Sequence, residues 1–131
     1  MPPDHELPSL DDLVALAERA LAAIPRMLAA RIDNVGFVVQ DWPDSETLRN
    51  LNIRNPLGLL GLYRGIPLIR RSIMQPWRFP DRIFLFRQPI LHSAVHLGLD
   101  PYRMVRHVLI HEIAHHFGYS DAEIDELQAE P

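Results

Sequence analysis

The sequence contains no cysteine and no lysine. Without cysteine there is no disulfide, no thiolate zinc site and no thiol nucleophile. Without lysine, Schiff-base chemistry and a Walker-type phosphate lysine are excluded, and all 13 basic residues are arginine. Long apolar runs are missing as well. The longest useful one, residues 57–63, is broken by glycine and falls far short of the roughly 18 residues a membrane span needs. Met1-Pro2-Pro3-Asp4-His5-Glu6 lacks the basic-then-apolar pattern of a secretory signal. The sequence shows no G-x-S-x-G elbow, G-x-G-x-x-G turn or P-loop. A net charge of −4 gives no electrostatic reason to expect a nucleic-acid partner. These absences lead to the expectation of a cytoplasmic protein with no membrane contact.

What remains is ordinary globular composition: 131 residues, 47% apolar and 23% charged, with mean hydropathy near zero. A chain of this length removes roughly two thirds of its unfolded surface from water, enough for a core. A disordered tail, a collagen-like repeat and a coiled-coil rod are excluded. The expectation is one domain over residues 1–131, monomeric, with residues 1–8 as a loose Pro-rich leader.

Ser9 and Asp12 resemble a capping box, after which Leu10, Leu13, Val14, Ala17, Leu21 and Ile24 recur at helical spacing until Pro25. Residues 26–32 continue as a short second helix. Residues 35–39 read as a strand, and 45–52 as a short helix capped at Ser45. Two apolar runs flank Arg64-Gly65, residues 59–63 and 66–69, and suggest a hairpin whose second arm Pro67 confines to a sheet edge. Residues 82–87 are apolar enough to lie inside a sheet, and Pro89 opens a helix that Gly98 ends. Asp100-Pro101 starts the next helix, which stops at Gly118. Ser120 with Glu123 caps a last acidic helix to about Leu127. The order predicts an α+β fold.

All but one of the seven histidines fall from His92 to His116. His111-Glu112-Ile113-Ala114-His115 is H-E-x-x-H, a pattern that chance places in roughly one chain in fifty of this composition. On a helix, His111 and His115 lie one turn apart on one face, so both imidazoles can converge on one cation at about 2.1 Å. Glu112 is offset by about 100°, too far for easy ligation but well placed to act on a water as general base. Gly118 lets the chain turn back, so that Asp121 supplies a third ligand and leaves an open position. Glu123, Asp125 and Glu126 are rival third ligands. His107 shares the His111–His115 face, His116 points away from it, and His92 and His96 pair without a third donor. Tyr119 and Tyr102 can donate to an oxyanion. Arg70, Arg71, Trp77 and Arg78 form a basic-aromatic cluster, read as a solvated loop.

At His111-Glu112-Ile113-Ala114-His115-His116-Phe117-Gly118, with Asp121 three residues on, the chain resembles the small bacterial zincin-like family, the minimal zincins. Residues 59–68 and 82–86 carry the same resemblance. It implies a compact zincin-like fold, a small mixed sheet backed by the active-site helix. It also implies that His111 and His115 are zinc ligands and Glu112 the base. Larger metzincins carry a methionine turn downstream of the third ligand; no methionine follows Asp121, so the floor of the site must come from upstream, from Met104 or Met74.

The expected function is zinc-dependent hydrolysis of peptide bonds in a peptide or protein substrate. Two alternatives stand beside it. One is a metal-dependent RNA hydrolase, whose similar motif carries glycine where Glu112 stands here. The other is a non-catalytic module whose zinc site is closed by a fourth donor such as His107.

Overall fold

The computed structural model describes residues 7–32, 34–65 and 81–129. Its first helix, α1, spans Leu10–Leu21. The Ser9 hydroxyl accepts from the Asp12 amide at 3.1 Å while the Asp12 carboxylate accepts from the Ser9 amide at 2.9 Å. This reciprocal cap fixes the start of the helix. Leu13, Ala17 and Ala20, spaced four and three apart, form its buried face. Pro25 opens the four-residue α2, Arg26–Ala29, shorter than expected.

Strands β1 (Val35–Gln40), β2 (Gly61–Arg64) and β3 (Asp81–Phe86) form a mixed sheet in the order β1-β3-β2. β1 runs parallel to β3 with Val35 opposite Asp81, and β2 runs antiparallel to it with Gly61 opposite Leu85. The period-two burial of β3 fits its central place: Ile83 and Leu85 are fully buried, while Phe84 between them is half-buried and Arg82 before them is exposed. β2 therefore takes β3 as its partner. The second arm of the expected hairpin, residues 66–69, lies outside the described residues, as do residues 1–6, Met74 and the Arg70–Arg71–Trp77–Arg78 cluster.

Between β1 and β2 come α3 (Ser45–Asn50) and a 3-10 turn, Pro56–Gly58. The α3 cap is Asp44 rather than Ser45, its carboxylate accepting from the Thr47 amide at 2.7 Å. A carboxylate one residue earlier reaches the third amide that Ser45, already helical, cannot.

β3 runs straight into α4, Arg87–Leu97, two residues before the proline expected to open it. No side chain caps this start; the Asp41 carbonyl accepts from the Gln88 amide instead, and Arg87 reaches both the Asp41 carboxylate and the Pro8 carbonyl. Gly98, at φ +70°, closes α4 in the left-handed conformation.

Helix α5, Pro101–His116, is the centre of the molecule. Asp100 accepts from the Arg103 amide at 2.8 Å and Pro101 takes the first helical position. Met104, Val105, Val108, Leu109, Ile110, Ile113 and Ala114 are all buried, against α1, α4 and β2. Four histidines in this helix cost at most about 0.7 kcal/mol each in propensity, whereas one buried Leu or Ile contributes about 1.5–3 kcal/mol. Packing therefore wins. Among the described residues no helix is long and apolar enough to cross a membrane.

Candidate metal centre and active site

The apolar arc of α5 leaves one polar stripe, His107, His111 and His115 at successive four-residue steps, with Glu112 and His116 on the flank facing β2. His111 and His115 place their ring centroids 4.5 Å apart at 72°. Gly118, at φ +85°, then turns the chain: its amide donates to the His115 carbonyl and the Tyr119 amide to the Ala114 carbonyl, each at 3.0 Å. The final helix, α6 (Asp121–Ala129), starts three residues beyond and folds back over α5 through Ile124 and Leu127.

This return brings Asp121 to His115, with Oδ1 3.4 Å from Nε2. Two donors of a tetrahedral zinc site with bonds of about 2.1 Å sit at much the same separation. The rival acids fare differently. Glu123 completes a capping box with Ser120, its carboxylate accepting from the Ser120 amide at 2.9 Å and its own amide donating to the Ser120 hydroxyl at 3.2 Å. Asp125, one turn beyond Asp121, brings its charge near His107 and His111. Among the described residues no group of three or more His, Asp or Glu side chains is placed so as to hold a metal ion. The donor types fit zinc all the same: two imidazoles and a carboxylate, with one pair already at donor spacing. Burial and the neighbouring His115 hold the pKa of His111 below its ordinary value, keeping the imidazole in the neutral form a metal requires.

Glu112 lies between α5 and the edge strand β2. Burial raises its pKa from 4.5 to about 7, against the opposing effect of a hydrogen bond from the Tyr63 amide. That bond follows from register. Phe86 donates to the Leu60 carbonyl at 2.9 Å, so the alternation of an antiparallel ladder turns the backbone groups of Gly61 and Tyr63 away from β3. Gly61 permits the close approach. A Cβ there would meet Val108 Cγ1 at 2.7 Å and the Phe84 carbonyl at 3.1 Å. Beside Glu112 opens a cavity of about 290 Å³, lined by Met104, His107, Val108 and His111 of α5, by Leu59 and Leu60 before β2, and by Ser93 and Leu97 of α4.

Of the other expected residues, Met104 forms part of this cavity wall, whereas Tyr102 sits at the far end of α5 under the Arg19 guanidinium. Tyr119 packs against the core beside Arg31. His116 points away from the His111–His115 pair, and its ring stacks on Tyr63 at 3.9 Å. Sequence reasoning missed Tyr63 and Gly61. The two glycines bracketing residues 61–65 were the available signal, since a strand glycine marks close backbone approach.

The architecture is thus a small α+β fold with a mixed sheet whose edge lies along a histidine-bearing helix. Residues 32–130, about three quarters of the chain, match the family model of the zincin-like metallopeptidases, and the chain belongs to that family. Its members are generally zinc-dependent hydrolases. No curated protein matches the sequence.

Proposed function

We propose that the protein is a zinc-dependent peptidase in which His111, His115 and Asp121 hold the metal and Glu112 is the general base. The observation that carries this reading is the placement of Glu112. It is a half-buried carboxyl with a pKa near neutrality, next to two imidazoles on its own helix and facing strand β2. Zinc, when bound, supplies a Lewis acid for the scissile carbonyl and lowers the pKa of a water toward neutrality. Glu112 takes a proton from the attacking water and passes it to the departing nitrogen as the C–N bond breaks, leaving a carboxylate and an amine. The Tyr63 amide keeps the carboxylate aimed while it is charged. An extended peptide lies along β2, pairing with the outward amide and carbonyl of Gly61. One apolar side chain of that peptide enters the adjoining cavity, whose 290 Å³ is just under the range of small-molecule pockets, beginning at about 300 Å³. Among the described residues no arginine lines this cavity, so none of them favours a polyanion such as RNA there. The setting is a cytoplasmic monomer acting on flexible peptides.

The test is Glu112→Gln, with zinc content and cleavage of unstructured peptides measured on the same preparations. Zinc is expected at about one per chain in both proteins, and hydrolysis in the wild type alone. Turnover in the variant, or none in the zinc-loaded wild type, overturns the reading.

A further inference from the structure

His116 lies four residues after Glu112, so both project from the same flank of α5 toward β2. The strand crosses this flank between two glycines. Gly61 meets Glu112 at one end, where a Cβ would stand 3.5 Å from its Cγ. Gly65 meets His116 at the other, where a Cβ would stand 3.2 Å from the imidazole Cε1 and 3.3 Å from Nε2. Midway between them is Tyr63. Its ring stacks on His116 with centroids 3.9 Å apart and planes at 22°, its hydroxyl donates to Asp81 Oδ2 at 2.7 Å, and its amide donates to the Glu112 carboxylate. Phe117 closes the stack edge-on, 4.9 Å from the His116 ring and 6.1 Å from that of Tyr63.

The imidazole therefore acts as a spacer. Remove it and the face of Tyr63 turned toward α5 loses the ring it rests on. Asp81 begins β3, so its bond to the Tyr63 hydroxyl fixes the sideways position of the strand, while His116 fixes its distance from the helix. The amide of residue 63 is thereby aimed by a stack on its own side chain.

From this geometry we infer that His116 is a positioning residue for Glu112, holding the β2 edge through Tyr63 so that the Tyr63 amide and the adjoining peptide-binding edge meet the carboxylate at a fixed height. The inference rests on Glu112 being the base for its catalytic consequence, but not for the contact itself.

Amide hydrogen exchange on the full chain tests the contact without any turnover. The Tyr63 amide lies on the outer side of the sheet, so its protection reports its bond to Glu112. The Phe86 amide, bonded to the Leu60 carbonyl, reports the ladder. His116→Ala is expected to speed exchange at Tyr63 by about tenfold or more while Phe86 keeps its rate. His116→Phe, which restores a flat ring without the imidazole nitrogens, is expected to return Tyr63 to the wild-type rate. An unchanged Tyr63 rate in His116→Ala, or equal acceleration at Tyr63 and Phe86, overturns the inference, the latter because His116 would then be supporting the fold as a whole. In peptide cleavage, His116→Ala should lower kcat by up to about 100-fold with KM little changed, and His116→Phe should recover most of it. If zinc-loaded wild type cleaves no peptide, the reading of Glu112 as base fails, and the exchange result still decides the positioning role.

Discussion

Glu112→Gln keeps the length of the side chain and an acceptor for the Tyr63 amide, but abolishes its titration. In the folded chain the carboxyl holds its proton up to about pH 7, whereas an exposed glutamate releases it near 4.5. Between those values the folded state binds more protons than the unfolded one, so stability falls as pH rises. The span corresponds to about 3 kcal/mol, all of it present at low pH and lost once the solution passes the folded pKa. The lowered pKa values of His107, His111 and His116 work the other way. Their burial costs stability as pH falls, and this is common to both proteins. Urea unfolding of the metal-free chains, followed by tryptophan fluorescence from about pH 5 to about pH 8, isolates the glutamate as the difference between wild type and variant. Glutamine should be close to neutral at the acid end and stabilising by up to about 3 kcal/mol at the alkaline end. Parallel pH curves for the two proteins would refute the claim that Glu112 is desolvated between α5 and β2.

Other consequences follow from the same packing. Gly61→Ala drives a methyl into Val108 and the Phe84 carbonyl; it should cost about 1–3 kcal/mol in thermal or urea unfolding and lower peptide turnover more than stability alone explains, because β2 must lift off Glu112. Asp121→Asn should weaken zinc binding by at least about tenfold in a competition assay with a chromogenic chelator. Glu123→Ala, which removes half of the Ser120 capping box, should instead fray α6 by circular dichroism and leave zinc affinity nearly unchanged. The reverse pattern would transfer the third ligand from Asp121 to Glu123.

The parts of this fold that the sequence announced are those governed by neighbours in the chain. Asp100-Pro101 and Gly118 bound α5 because a carboxylate cap, a fixed proline φ and a left-handed glycine act within a few residues. The Ser120–Glu123 box and the apolar alternation of β3 are local in the same sense. The pairing of β2 with β3 is set by burial across the sheet and had no turn signal to announce it, while residues 66–69, the expected second arm of a hairpin, lie outside the described residues. The site divides likewise. Four-residue spacing puts His111 and His115 on one face, and the offset from Gly118 places Asp121 beside His115. Nothing local links Tyr63 to Glu112 or His116, which lie about fifty residues away, and a single aromatic or histidine carries no period from which to read a contact. Only the register of β2 on β3, and its closeness to α5, brings them together.

Helix α5 carries two obligations on one rod. Its apolar arc is committed to the core and its histidine stripe to the candidate centre, so few of its sixteen positions are free to vary without loss of folding or of chemistry. Change in what the protein accepts must therefore come from the opposite wall of the cavity. There, Ser93 and Leu97 on α4 and the short stretch from Gly58 to Leu60 face the same space with fewer constraints. Leu97 is more than half exposed, so its substitution disturbs little packing. Laboratory selection for altered peptide preference should accumulate substitutions on that wall while α5 stays as it is, a division of labour that lets a very small scaffold diversify without being rebuilt.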